Sequence, residues 1–420
     1  MVHQTAQNLS THSPSKITTY QYILILYFIY IMFEWPIWSF LPISYQVIAF
    51  LRPMLDAIFF LVLMMKRFAT PVKIDLTSRR VLATLGIVIF SVTISTILYQ
   101  TRLIYELQSI FVVFRFMIIL IIPEDMISSK FKQLILYALM LQISIGLIEA
   151  SGVLNIGSIM MHSSGKWEGI PNFNPTVFRN GPVGISSTFL NTIDYSFYLI
   201  ASYIAIYWRK KRTLKWIMTV IIYFLIIRTE SKTSIIVFSF LLLYELHSVF
   251  LRWTVFLVLT VPIVIVLIMN ADLVVFFFTN SLQYSRIGFF VYLLPPFFSG
   301  NIATILFGVS TDPYVGLEAI RHYPHIPQML LDENNLLNLK DVFWIAQLFE
   351  WGLVGFTTLV ALLISMYKRS LSPTTKALLI VVFILGLSNQ VLEVKVFSFL
   401  LWILIKYHKS FDEDLMLAWK

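Results

Sequence analysis

The sequence predicts an all-α fold, a polytopic transmembrane helical bundle of about 12 spans that forms a single membrane domain over residues 1–420. Three observations predict it. First, 58% of the residues are hydrophobic and 13% are charged. A soluble domain carries roughly 25% charged residues, so water is not the main solvent of this chain; the mean hydropathy of +0.81 says the same. Second, apolar runs near the ~20 residues needed to cross a bilayer recur along the chain. Third, the strongly basic connectors all fall on one side when those runs are threaded back and forth.

The first stretch, MVHQTAQNLSTHSPSKITTYQ, is polar, and the apolar run after it is too long for a signal-peptide core and lacks a small-residue cleavage site. It reads as a cytoplasmic tail. Candidate spans follow near 22–41, 43–65, 81–99, 103–122, 133–150, 183–208, 214–227, 233–250, 253–270, 342–367, 376–391 and 395–407, with the first two divided near Pro42. The connectors KRFATPVKIDLTSRR (66–80), RKKRTLK (209–215) and YKRSLSPTTK (367–376) are basic. With the N-terminus inside, all three face the cytoplasm, as the positive-inside rule requires, and both termini are cytoplasmic. Two long connectors, about 151–182 and 271–341, face the other side.

The chain has no cysteine, which excludes disulfides, thiolate catalysis and cysteine-ligated zinc or iron–sulfur sites. The net charge of +9 reads as loop bias rather than as a nucleic-acid signal.

The break IIRTESKTSII (226–236) puts Arg228, Glu230 and Lys232 between two apolar segments on the non-cytoplasmic side, where loop bias gives cations no reason to be. The plainer reading is a pair of helix-end cations reaching to headgroups. The first long connector ends on Arg179, just before a span. The second carries Arg286, then IGFFVYLLPPFF, whose Pro295–Pro296 pair predicts a piece along the interface rather than a crossing. FGVST, Arg321 and His322, and DENN follow. Arg179, Arg228, Lys232, Arg286 and Arg321 thus share one face with few carboxylates to neutralise them. Guanidinium forks match phosphate oxygens, so this face suits a ligand with an anionic head and a lipid tail, such as a polyprenyl diphosphate. Arg115 differs. It lies mid-span in VVFRFMIIL, where a cation costs about 2.5–3.5 kcal/mol on insertion scales. It is expected to face the interior against Glu34, Asp56 or Glu149, in an ion pair or with a ligand.

Four stretches carry a family resemblance: RNGPVGISSTFLNTIDYSFYLI (179–200), IIRTESKTSIIVF (226–238), SRIGFF (285–290) with LFGVS (306–310), and DVFWIAQLFEWGLVGF (341–356), which ends Gly-x-x-Gly at Gly352 and Gly355. In order, spacing and placement they resemble the O-antigen polymerase and O-antigen ligase superfamily over roughly residues 170–365. The resemblance implies a bacterial inner-membrane glycosyltransferase acting at the periplasmic face on undecaprenyl-diphosphate-linked oligosaccharide, with membrane lipid around it. A chain-length regulator and a flippase are the implied partners, with no nucleic acid. Lys232 stands in an arginine place, which keeps the charge and loses the fork. Asp341 stands where ligases usually carry a histidine, which favours the polymerase. The rivals are an O-antigen ligase and a flippase or other transporter of lipid-linked oligosaccharide.

A polymerase of this kind expels a diphosphate leaving group, so fixed cations can stabilise its developing charge. Arg179 and Arg286 are then the principal diphosphate ligands and catalytic cations, with Arg228, Lys232 and Arg321 in support. No cofactor or metal is called for. Asp341 is the candidate to orient or deprotonate the acceptor hydroxyl; its other reading is a helix N-cap. Glu350 lies deeper, available to a loop arginine. His322 and His325 are H-x-x-H, but Pro324 between them breaks the helical spacing that a metal pair would use.

Overall fold

The computed structural model describes residues 18–41, 43–69, 75–99, 103–122, 127–154, 185–189, 192–207, 213–245, 253–254, 294–295, 297–309, 342–370, 372–387, 391–392 and 394–408. All regular elements among them are helical. In chain order they are α1 (Thr19–Met32), α2 (Glu34–Phe40), α3 (Tyr45–Ala69), α4 (Leu76–Tyr99) and α5 (Leu103–Phe114), a 3-10 turn (Met117–Ile121), α6 (Ser129–Ala150), α7 (Thr192–Ile206), α8 (Thr213–Arg228) and α9 (Lys232–Glu245). After these come α10 (Ile302–Phe307), α11 (Phe343–Arg369), α12 (Pro373–Gly386) and α13 (Lys395–Lys406).

Four described helices are long and apolar enough to cross a membrane: Gln46–Ala69 within α3, α4, α6 and α11. The bent pair α1–α2 makes a fifth if it counts as one span. Expected spans at 183–208, 214–227, 233–250, 376–391 and 395–407 overlap α7, α8, α9, α12 and α13, apolar helices of 12 to 16 residues. Most of 253–270 lies outside the described residues. Large apolar side chains cover the outside of the long helices, among them Phe50, Phe68, Ile97 and Tyr137 at 66–78% exposure. Such a surface is costly in water and ordinary against lipid tails; with the four long helices it points to a membrane protein.

Two expected spans are interrupted. The 22–41 stretch bends by 60° at Phe33 rather than running on to Pro42. Pro36 sits in the first turn of α2, the one place where a helix tolerates a missing N–H. The 103–122 stretch leaves the α-helix after Phe114, passes through Arg115 and Phe116 and continues as the 3-10 turn.

α11 lies along α4, and α13 lies along α7 and the 3-10 turn. These contacts define two ends. At one, here the basic end, the Ser78 hydroxyl donates to the Leu120 carbonyl at 3.2 Å, Lys406 donates to the same carbonyl at 3.3 Å, and Arg80 donates to Ser365. At the other, the loop end, the Tyr99 and Thr304 hydroxyls meet and segment 185–189 docks against the C-terminus of α8. One apolar core runs through the bundle, and a smaller one joins Phe297 to Val342, Ile345, Leu348 and Phe349 at the start of α11.

Candidate functional site

A network of buried charge sits towards the loop end. Arg52 and Asp56 are one turn apart on α3, so both side chains leave the same face. Glu34 opens α2 directly after the bend, and its carboxylate accepts from Arg52 Nε at 2.8 Å and from Lys395 Nζ at 2.6 Å. Lys395, the first residue of α13, also reaches Asp56 at 3.0 Å. Arg115 Nη1 donates to Asp56 at 2.9 Å from the break after α5. The Tyr27 hydroxyl donates to Asp56 as well. Asp56, Glu34 and Arg115 are 2%, 3% and 6% exposed. Arg115 therefore faces the interior with a carboxylate partner, as its place in the sequence predicts, and the partner is Asp56. Glu149 is engaged elsewhere. Among the described residues, three cations and two carboxylates make up its ion pairs. Asp194, half-buried in the first turn of α7, is within electrostatic reach of Glu34 and Arg52.

Beside the network, the last residues before α7 are fixed to three helices. The Glu149 carboxylate accepts the Ser186 and Ser187 N–H groups at 2.9 and 2.7 Å. The Ile185 N–H donates to the Arg228 carbonyl at 3.0 Å. The Thr188 hydroxyl donates to the Met32 carbonyl at 2.9 Å, and Gln142 Nε2 donates to Thr188 at 2.6 Å. The break at 228–232 is thus joined to the chain that follows Arg179 and, through Met32, to the helix that leads into Glu34. Ser187 and Glu230 have φ of 53° and 58°, the positive values among described non-glycine residues. Both lie at this junction. Arg228, Glu230 and Lys232 are exposed and form no ion pair among the described residues.

A second junction joins two more of the family-like stretches. The Val309 N–H donates to the Phe349 carbonyl at 2.7 Å, and the Ser95 hydroxyl to the Gly308 carbonyl at 3.3 Å. Gly308 and Gly352 have φ of 86° and 64°, and Gly352 interrupts α11 with a kink. Their backbones touch, so a Cβ on Gly308 would collide with the Glu350 carbonyl and one on Gly352 with the Leu306 carbonyl. Gly352 is therefore required for its conformation and for close approach. Ser109 of α5 donates to the Glu350 carboxylate at 2.6 Å. Arg115 follows Ser109 by six residues on the same segment, which therefore touches both Glu350 and the charge network.

Of the residues singled out in the sequence, Arg228 and Lys232 stand together at the first junction. Arg179, Arg286, Arg321, His322, His325 and the Asp341 carboxylate lie outside the described residues. The N-cap of α11 is Val342, without a side-chain cap bond. Sequence reasoning missed Arg52 and Lys395, although both are ionisable residues inside or beside apolar runs. It also missed Gln347 on α11, which is fully buried with neither amide atom partnered among the described residues. Among the described residues no group of histidines and carboxylates has metal-binding geometry. Comparison of the chain with known proteins finds no matching family model, no matching curated protein and no matching solved structure.

Proposed function

We propose that the chain is a membrane glycosyltransferase that polymerises undecaprenyl-diphosphate-linked oligosaccharide repeat units into O-antigen or a related surface polysaccharide. One observation carries the reading. The four family-like stretches, scattered over the sequence, include two docked pairs: 185–189 with 228–232, and 306–309 with 349–352. The first pair presents Arg228 and Lys232 to solvent, cations left available for an anionic ligand.

In this reaction an acceptor sugar hydroxyl attacks the anomeric carbon of the donor. The bond from that carbon to the diphosphate oxygen breaks, the electron pair leaves with the diphosphate, and the hydroxyl proton passes to a base. Arg179 and Arg286 bind the diphosphate, Arg228, Lys232 and Arg321 support them, and Asp341 orients the acceptor and takes its proton. The cations act at the leaving group, where charge develops most.

A transporter of lipid-linked oligosaccharide is the second reading, favoured by the buried network of Glu34, Arg52, Asp56, Arg115 and Lys395, since intramembrane charges also mark transport pathways. A lipopolysaccharide gel of a strain lacking the protein separates the possibilities. Core carrying a single repeat unit supports the polymerase. Complete loss of attached polysaccharide indicates a ligase, and lipid-linked units held on the cytoplasmic leaflet indicate a flippase. Normal polymer length in both Arg179→Ala and Arg286→Ala strains defeats the assigned diphosphate ligands.

A further inference from the structure

At the basic end, away from both junctions, α4, the 3-10 turn, α11, α12 and α13 line a half-open cavity of about 360 Å³. We propose that it binds a phosphate-bearing anion, drawn either from the headgroup of an anionic membrane lipid or from soluble phosphate.

The charge of the walls points to an anion. Among the described residues, Arg80, Arg369 and Lys406 line the cavity from three different helices, with His408 beside them, against the carboxylate of Asp75. That carboxylate already accepts the Ser78 N–H at 2.8 Å as the cap of α4. Two of these cations, Arg80 and Arg369, thus stand against that one carboxylate. The bond of Arg80 to the Ser365 hydroxyl uses an uncharged acceptor, which does not neutralise it. Neither Arg80 nor Arg369 forms an ion pair among the described residues.

The second observation is independent of charge. Thr375 lines the same cavity, is 2% exposed, and its hydroxyl has no partner among the described residues. A buried hydroxyl left without a partner costs free energy unless something fills the place. The oxygens of a phosphate group can together accept from a hydroxyl and from two guanidinium groups, and the volume lies at the small end of ligand-binding cavities. Basic pockets between membrane helices on the cytoplasmic side suit lipid headgroups. The basic connectors 66–80 and 367–376 both contribute to the lining of this one, the first through Asp75, Thr77 and Arg80, the second through Arg369, Ser370 and Thr375.

The test uses the purified full-length chain in neutral detergent. Thermal unfolding and native mass spectrometry are followed with phosphatidylglycerol, phosphatidylcholine or inorganic phosphate. Phosphatidylglycerol is expected to bind and raise the melting temperature, with phosphatidylcholine inert. Arg369→Gln changes an exposed side chain and leaves the fold intact; it should weaken binding by about tenfold, the loss of one charged hydrogen bond. Thr375→Val should weaken binding several-fold while the ligand-free protein melts at the same temperature or higher, because the unpartnered hydroxyl is gone. Protection by inorganic phosphate alone, with displacement of the lipid, supports the anion site and assigns it to soluble phosphate. The proposal is overturned if neither phosphate source binds, or if both variants bind as tightly as the parent.

Discussion

The residues that set this molecule apart are ionisable groups held where they cost most. Asp56 carries Arg115, Lys395 and the Tyr27 hydroxyl together. Asp56→Asn keeps the shape and removes the charge that pairs with Arg115 and Lys395. Breaking a buried pair from one side costs about 3–5 kcal/mol. The variant should therefore fail to accumulate, or lose most of its thermal stability in detergent. Glu34→Gln should cost less. Its partners Arg52 and Lys395 keep 23% and 17% of their side-chain surface and can turn to solvent, whereas Arg115 keeps 7%. Equal losses in the two variants would show that the network does not depend on burial. Glu230 poses the opposite case. A left-handed residue other than glycine costs roughly 1–2 kcal/mol, so Glu230→Gly should raise the melting temperature. A fall in polymer length in the same variant would show that the strained carboxyl is kept for the reaction, since backbone strain in native proteins gathers at functional sites.

At the scale of elements, the glycines of the second junction decide how α11 lies on α10. Gly352→Ala meets the Leu306 carbonyl and forces a left-handed alanine, so it should destabilise by at least about 2 kcal/mol, the strain alone contributing roughly half. Gly86→Ala on α4 is the control, because a Cβ there meets nothing within 4 Å. It should be neutral or stabilising by up to about 1 kcal/mol. Thermal melts of the two read the contrast directly. The sequence carried much of this, unevenly. Apolar runs placed α3, α4, α6 and α11, since a span needs little beyond length and hydropathy. Arg115 could be assigned an interior partner because a lone cation in an apolar run demands one. The bend at Phe33 leaves one mark in the sequence, Pro36 in the turn after it, which the division near Pro42 passed over, and the break after Phe114 has no glycine or proline to mark it. Arg52 and Lys395 escaped because cations near the ends of apolar runs pass for groups reaching to headgroups. The meeting of LFGVS with Gly352 depends on segments some forty residues apart, and no local pattern encodes such a contact.

For the whole molecule, the argument turns on which end faces which side. α11 is 27 residues long and α4 is 24. At 1.5 Å per residue α4 exceeds the ~30 Å of a hydrocarbon core, and α11 runs beside it through its kink at Gly352. Residues at their opposite ends must therefore lie on opposite sides if the helices cross. Positive-inside puts Arg80, Arg369 and Lys406 at the cytoplasm and leaves Arg228 and Lys232 outside. The chain itself permits a clean measurement, for it has no cysteine and any thiol introduced is the only one present. Arg228, Lys232 and Arg369 are all exposed and make no ion pair among the described residues, so replacing each with cysteine should leave the fold undisturbed. In cells with a permeabilised outer membrane, a membrane-impermeant maleimide should label Arg228→Cys and Lys232→Cys. Arg369→Cys should react only after the inner membrane is opened. The reverse pattern would put the cations of the first junction in the cytoplasm. A diphosphate carrier bearing periplasmic repeat units could not reach them there, and the polymerase reading would fail for a reason that no single-site variant could reveal.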